Sequence, residues 1–240
     1  MILDSEVLIV VPAYNEAATI ARVVSGIHAV GFSCVVINDG SEDDTSSIAE
    51  QAGATVLTLP FNAGVGGALR CGFRYAVNNG FKAVIQCDAD GQHQSHHFKD
   101  LIRVANETKA DFVLGSRFLS SENTLDPNVV RRFAMWWLAR VASRATGRRI
   151  TDSTSGFRLI RRPLLDELAE HLPEYYLGDT FEALVVLGRA GYTVEEIGTA
   201  MAPRQSGVSS ASSGRAIVLI GKALTTVLLG LHFRIKQNPQ

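Results

Sequence analysis

The chain has 240 residues, 46% hydrophobic and 20% charged, enough to bury a full core as one domain or as one domain carrying an appended element. A formal net charge of −1 excludes a bulk basic field for nucleic acid, although Arg131 to Arg149 holds six arginines and no acid. Three widely spaced cysteines, Cys34, Cys71 and Cys87, form no CxxC pair and point to reduced thiols in a cytosolic compartment.

The opening MILDSEVLIVVPAYNE has no basic stretch and no long apolar span, so neither signal peptide nor anchor is expected and the predicted location is cytoplasmic. Five short β-branched apolar runs follow: VLIVVP (7–12), CVVIND (34–39), ATVLTL (54–59), AVIQCD (83–88) and DFVLGS (111–116). Their hydrophobicity is continuous rather than alternating, which implies burial on both faces. The intervals read as helices. Asn15 can cap EAATIARVVSGIHAV, Asp43 or Asp44 TSSIAEQA, Asn62 or Gly64 VGGALRCGFRYAVNN, and Ser95 HHFKDLIRVANE, since a short polar side chain satisfies the open N–H groups of a first turn. This alternation predicts an α/β fold with right-handed crossovers and a mostly parallel sheet covered by helices. Beyond residue 117 come a basic aromatic helix at 129–146, a polar turn TDSTSGFRLIRR, a helical DTFEALVVLGRAG, a strand YTVEEIGTA and a closing apolar helix. No internal repeat or low-complexity linker interrupts the chain.

Ligands of such sheets collect at the carboxyl ends of the strands, and the polar residues fall there. Pro12 to Glu16 follow the first run, Asp39 to Ser41 the second, and Asp88-Ala89-Asp90 the fourth. On extended backbone, aspartates two residues apart point to the same side and repel each other at neutral pH. A divalent ion resolves the conflict. Mg2+ or Mn2+ prefers oxygen ligands, commonly bridges carboxylates to substrate phosphates, and as a Lewis acid eases departure of a diphosphate. Gln92, two residues beyond Asp90, is a further oxygen donor; the bland alternative is a solvated acidic turn. His93, His96 and His97 invite a zinc site, but no cysteine or fourth ligand is spaced to close a tetrahedron. NAGVGGAL imitates a dinucleotide loop but follows the third strand and has Leu69 where the last glycine belongs. There is no GxxxxGK[ST] and no GxSxG, which argues against a P-loop NTPase and a hydrolase elbow.

Seven segments in order, VVPAYNEAATI, INDGSEDDT, NAGVGGALRCGF, CDADGQH, GSRF, SGFRLIRR and RQSGVSS, resemble glycosyltransferase family 2, which has the Rossmann-like GT-A fold. Within that family the likeness is to dolichol-phosphate mannose synthases and bacterial polyprenyl-phosphate glycosyltransferases. The resemblance implies that Pro12, Tyr14 and Glu16 line the nucleotide pocket and that Asp39 accepts a hydrogen bond from the base, an ionised acceptor forming the stronger bond. Asp88, Asp90 and Gln92 match the metal-binding trio. Arg117 and Arg131 resemble the arginines that hold a lipid phosphate, with Arg132 the alternative to Arg131, and Arg204 resembles one facing the donor phosphates. Asp90, Arg117, Arg131 and Arg204 are thus the candidate catalytic groups. Asn38 stands where the family often has a first aspartate. Residues 1–212 are expected to form the GT-A domain and 213–240 a C-terminal apolar helix.

The segment NVVRRFAMWWLARVASRATGRR places Val129, Phe133, Trp136 or Trp137, and Val141 on one helical stripe, and tryptophan with arginine suits a membrane interface. The apolar 216–233 is 18 residues with Lys222 inside, short of the about 20 a spanning helix needs. A helix lying on the bilayer or docking with a membrane partner is expected. The predicted reaction is therefore an inverting transfer of a hexose from a nucleotide-diphosphate sugar to a polyprenyl phosphate, at the inner face of the membrane. A phosphate nucleophile is already anionic and needs no general base. Two alternatives stand beside it: transfer to a sugar hydroxyl with Asp179 as base, Asp179 being otherwise a helix cap, and a catalytically silent nucleotide-sugar-binding partner. A small membrane subunit or a second copy of the chain is compatible with either.

Overall fold

The computed structural model describes residues 1–119, 129–173, 179–202 and 235–238, with backbone alone at 129–134 and 179. Its strands are β1 (Val7–Ala13), β2 (Ser33–Asn38), β3 (Thr55–Thr58), β4 (Ala83–Gln86), β5 (Phe112–Ser116), β6 (Arg158–Arg161) and β7 (Val194–Gly198). The helices are α1 (Ile20–Ala29), α2 (Thr45–Gln51), α3 (Gly64–Asn78), α4 (Phe98–Thr108), α5 (Val129–Thr146), α6 (Leu164–His171) and α7 (Asp179–Arg189). The strands form one sheet in the order β3-β2-β1-β4-β6-β5-β7. Only β6 runs against its neighbours β4 and β5; the other pairings are parallel.

Continuous apolar runs serve two cores at once. In β1, Leu8 and Val10 join the cluster formed with α3, α5, α6 and α7, whereas Val7, Ile9 and Val11 join the cluster formed with α1 and α4. Side chains alternate across a strand, so a sheet covered on both faces must be apolar at every position. Each large aliphatic buried in this way contributes about 1.5–3 kcal/mol.

Three sequence expectations need correction. The stretch 151–162, expected to be a polar turn, contains β6; Arg158 and Arg161 flank a two-residue apolar pair, too short to read as a strand. The fourth strand stops at Gln86, so Asp88 and Asp90 lie in the turn beyond it and strand alternation does not set their directions. Asn15 caps no helix: α1 begins at Ile20. Instead Asn15 takes a left-handed φ of 55°, which asparagine tolerates. Its side-chain oxygen accepts from the Glu42 N–H at 2.8 Å while its own N–H donates to Ser41 Oγ at 3.0 Å. The Glu16 N–H donates to Thr45 Oγ1 at 2.8 Å and the Ala17 N–H to Asp43 Oδ2 at 3.1 Å. These four bonds stitch the turn after β1 to the turn after β2, holding two strand ends at one level.

Helix α5 has the predicted bounds. Leu138, Ala139 and Ala142 are its buried face, and Val141 packs against the core, whereas Trp136 and Trp137 are 56% and 37% exposed. The expected stripe therefore splits: Val141 faces inward and the tryptophans outward, with the Arg140 guanidinium 5.8 Å from the Trp136 ring. The side chains of Val129 and Phe133 lie outside the described set. Helix α5 meets α7 backbone to backbone at Gly188, where a Cβ would run into the Ala145 carbonyl. Overpacking of a tight contact costs about 1–3 kcal/mol, and a backbone obstacle belongs at the upper end. Gly188→Ala is expected to lower the melting temperature by roughly 4–12 °C, taking about 2–4 °C per kcal/mol at this size. Calorimetry checks this, and an unchanged melting temperature would contradict the packing.

The predicted apolar helix at 216–233 lies outside the described residues. After it, Ile235 packs on the core, the Lys236 N–H donates to Glu167 Oε2 at 3.0 Å, and the Asn238 N–H donates to the Ala190 carbonyl at 2.8 Å.

Candidate active site

The carboxyl ends of β1, β2 and β4 are adjacent, because β1 lies between the other two. Pro12 is half-buried in β1, and Tyr14 stands 43% exposed beyond it. Glu16 turns back to accept from Thr19 Oγ1 at 2.9 Å. Asp39, directly after β2, is buried; its Oδ1 accepts the Ala63 N–H at 2.7 Å, tying β2 to the entrance of α3. Burial raises its pKa above the ordinary carboxylate value, and the N–H groups of Ala63 and Gly64 only partly offset this. The next residue, Gly40, has a φ of +70°, and a Cβ there would lie 2.8 Å from the Phe61 carbonyl carbon. A side chain would push away the loop that brings Ala63 to Asp39.

At the end of β4 the two aspartates differ. The Asp88 side chain is 41% exposed, whereas Asp90 is buried and its Oδ1 accepts the Gln92 N–H at 3.0 Å, closing a turn around Gly91. Asp88 is framed closely. Its N–H donates to His93 Nδ1 at 3.0 Å, which leaves the His93 proton on Nε2, 3.7 Å from Asp88 Oδ2. The imidazole is itself stacked on Phe157, with centroids 4.8 Å apart. Gln92 and His93 also hold the chain after β7: the Ala202 N–H donates to the Gln92 carbonyl at 3.0 Å, and His93 bridges Met201. His97 accepts the Ala200 N–H on Nε2 at 3.2 Å and faces Asp100 through Nδ1, while His96 is exposed. Among the described residues no three histidine, cysteine or acidic groups converge. The thiols are reduced; burial pushes Cys34 up to about 11 and Cys87 well above its usual range.

Arg117, one residue past β5, is clamped. Its Nε and a terminal nitrogen donate to the two Asp152 oxygens at 2.7 and 2.8 Å, and the latter nitrogen also reaches Thr154 Oγ1 at 2.6 Å. Asp152 is fully buried. Burial alone would raise its pKa, but the hydrogen bonds and charge of Arg117 outweigh that and hold it below the ordinary value. Burial likewise works against the Arg117 cation, yet Asp152 raises its pKa, and Asp88 adds to the effect through space. The loop carrying Asp152 is pinned from behind: Glu196 of β7 accepts the Asp152 N–H at 2.7 Å and the Thr151 N–H at 2.8 Å. Burial raises the Glu196 pKa against these bonds.

Residues 8–169, more than half of the chain, match the family model described as glycosyl transferase family 2. The chain belongs to glycosyltransferase family 2. This glycosyltransferase is similar to the polyprenol monophosphomannose synthase of Mycolicibacterium smegmatis, at 27% identity over 222 residues covering 85% of this chain and 80% of that one. It is also similar to the undecaprenyl-phosphate mannosyltransferase of Micrococcus luteus, at 27% identity over 229 residues and 92% of each chain. A glucosyl-3-phosphoglycerate synthase from Mycobacterium tuberculosis, solved with Mn2+, UDP-glucose and phosphoglyceric acid, matches it with a TM-score of 0.64 at 20% identity. That match covers 93% of this chain and 78% of the other. The fold is accordingly of the GT-A kind, as the sequence motifs imply.

In this family 2 glycosyltransferase the sheet brings Pro12, Tyr14, Asp39, Asp88 and Asp90 to neighbouring strand ends, and Arg117 faces Asp88 electrostatically. Arg131 and Arg132 lie in the first turn of α5 with backbone alone described, as does Asp179 at the first position of α7. Arg204 lies outside the described residues, two positions beyond Ala202. Sequence reasoning missed Asp152, Glu196, Gln86, Gly156 and Arg158. For Asp152, Gly156 and Arg158 the one signal was an excess of polar residues in TDSTSGFRLIRR, of which Asp152, Ser153, Ser155 and Arg158 are buried; Gln86 and Glu196 lie in other strands and gave none.

Proposed function

We propose that this family 2 glycosyltransferase moves a hexose from a nucleoside-diphosphate sugar to a polyprenyl phosphate, with inversion, at the cytoplasmic membrane surface. The observation that carries the reading is a half-exposed Asp88 at the mouth of the sheet, within electrostatic reach of a clamped Arg117. An anion-binding guanidinium and a cation-binding carboxylate whose charges are coupled through space suit a reaction between two phosphates. The likeness to two enzymes named for polyprenol or undecaprenyl phosphate points to the same acceptor class.

The donor set fits a hard divalent ion. Asp88 offers oxygens with no cation paired to them among the described residues; His93 presents a neutral N–H, and Gln92 contributes an amide beside the buried Asp90. Asp88, Asp90 and Gln92 would hold Mg2+ or Mn2+, which when bound neutralises the departing nucleoside diphosphate as a Lewis acid. The base would lie against Pro12, Tyr14 and Glu16, with Asp39 as its polar reader. Arg117 orients the acceptor phosphate: with Nε and one terminal nitrogen engaged by Asp152, the guanidinium plane is fixed, so a phosphate meets a pre-oriented donor rather than a flexible one. Arg131 or Arg132 would share that phosphate, and Arg204 the donor phosphates.

Exposed Trp136, Trp137 and Arg140 on α5 support a membrane-facing surface. Ala202 and Ile235, the described residues on either side of 203–234, both dock on the globular body. A single bilayer crossing between them would carry Ile235 to the opposite side, which favours an in-plane role for the apolar stretch. Residues 1–212 would then be the catalytic domain, with its membrane attachment after it.

Incubation with radiolabelled GDP-mannose or UDP-glucose, Mn2+ and undecaprenyl phosphate should yield an organic-extractable product that mild acid cleaves. Asp179→Asn should leave this activity within about threefold, since no proton need be removed from a phosphate. Transfer to sugar hydroxyls that Asp179→Asn abolishes, with no lipid-phosphate product, would replace this reading by the hydroxyl-acceptor one.

A further inference from the structure

We infer that Arg158 is a positioning residue for Asp88 and acts through Gln86; the inference rests on the reading of Asp88 as a ligand of the divalent ion. Arg158 is 2% exposed in β6, and among the described residues it reaches no carboxylate within ion-pair distance. Its partners are Gln86 Oε1, accepting from Nε at 2.8 Å, Thr180 Oγ1 at 3.3 Å, and the Phe112 ring, whose centroid lies 5.9 Å away. A guanidinium buried among neutral groups is costly where an apolar side chain of similar volume would pack without penalty. Its placement therefore calls for a reason beyond packing.

The reason lies in what arginine cannot do. A guanidinium only donates hydrogen bonds, so the Gln86 oxygen must face Arg158 and the Gln86 NH2 must face the other way. The two residues sit opposite one another in the β4–β6 ladder, which keeps them in contact. The other way is Asp88: Gln86 Nε2 lies 3.4 Å from Asp88 Oδ1. The second oxygen is treated in the same manner by His93, whose Nε2 lies 3.7 Å from Oδ2. The Asp88 N–H can only donate, so it fixes His93 Nδ1 as acceptor and presents Nε2–H toward Oδ2. Between the two, Gly156 closes the slot; a Cβ there would come within 2.9 and 3.0 Å of the Asp88 oxygens and 3.2 Å of Gln86 Nε2. Asp88 is thus oriented by two N–H groups whose directions are each set by a donor-only neighbour. Both approaches are long, which leaves the oxygens able to bind a cation.

The test is Mn2+ affinity of the full chain, read by electron paramagnetic resonance without donor or acceptor, alongside thermal melting. Outer partners of metal ligands typically change affinity by about 10–100-fold. Gln86→Leu and Arg158→Met should each weaken Mn2+ binding about tenfold, the double variant should be no weaker than either single one, and Arg158→Lys should recover part of the loss. Asp88→Asn is the reference. If Asp88→Asn leaves Mn2+ affinity unchanged, the reading of Asp88 as a ligand falls. If Asp88→Asn removes binding while Gln86→Leu binds Mn2+ as the unaltered protein does, the relay is wrong and the ligand reading stands. Losses that multiply in the double variant also overturn the relay. Should Arg158→Met not fold, the Gln86→Leu result decides alone.

Discussion

Asp88→Ala is expected to lower sugar transfer about a thousandfold, equivalent to about 4 kcal/mol of transition-state stabilisation, while the protein melts within a few degrees of its original temperature. The carboxylate sits at the mouth of the sheet with its side chain 41% exposed, and its neighbours face it at distances too long for strong hydrogen bonds. Removing it takes little from the fold but takes the open oxygens from the site. Asp90 differs. It is buried and closes the turn at Gln92, so Asp90→Ala should lose both activity and stability, and only Asp88 separates the two. Steady-state transfer assays with calorimetry on the same preparations check this; retention of a tenth or more of the activity by Asp88→Ala would sink the assignment.

The second large effect belongs to Asp152. This carboxylate is fully buried, and Asp152→Ala removes the anion that Nε and a terminal nitrogen of Arg117 both meet. Breaking a buried ion pair from one side costs about 3–5 kcal/mol; the Arg117 side chain is 32% exposed, so water relieves part of this and the lower end is expected. The corresponding fall in melting temperature is roughly 6–12 °C, at about 2–4 °C per kcal/mol. Activity should fall with it, through the KM for the acceptor rather than for the donor, because the guanidinium is no longer held in one plane. Asp152 also sets an acid limit. Its folded pKa is depressed, so the folded state binds fewer protons than the unfolded chain near the ordinary aspartate value of about 3.9. The stabilisation is fully present above that value and is lost as pH falls through the folded pKa. In Asp152→Asn the pH dependence of stability below about pH 4 should flatten; a slope unchanged from that of the original protein would contradict the ion pair.

Much of the sheet was legible because two-sided burial leaves a mark on every residue of a strand. Strands β1, β2, β4 and β5 were found where Val, Ile and Leu run unbroken, and the bounds of α5 were found although its stripe splits, with Val141 inward and the tryptophans outward. β6 was hidden because its outer positions carry arginines, and burial of Arg158 depends on Gln86, Thr180 and Phe112, none of them near it in sequence. The site divides along the same line. Asp88 and Asp90 were visible because they stand at a strand end in a pattern that chemistry requires. Their framing by His93, Gly156 and Gln86 was not, since it arises where a turn, an antiparallel strand and a loop cross. The Arg117–Asp152 pair spans 35 residues, and no local pattern announces it. Asn15 misled for a related reason: an asparagine before a helical stretch looks like a cap, but its side chain serves a different loop.

Anomalous diffraction from crystals grown with Mn2+ and a nucleoside-diphosphate sugar would show whether Asp88 holds the ion. A manganese peak is expected within coordinating distance of an Asp88 oxygen and of diphosphate oxygens. A bound nucleotide whose diphosphate lies against the sheet with no manganese at Asp88 would contradict it.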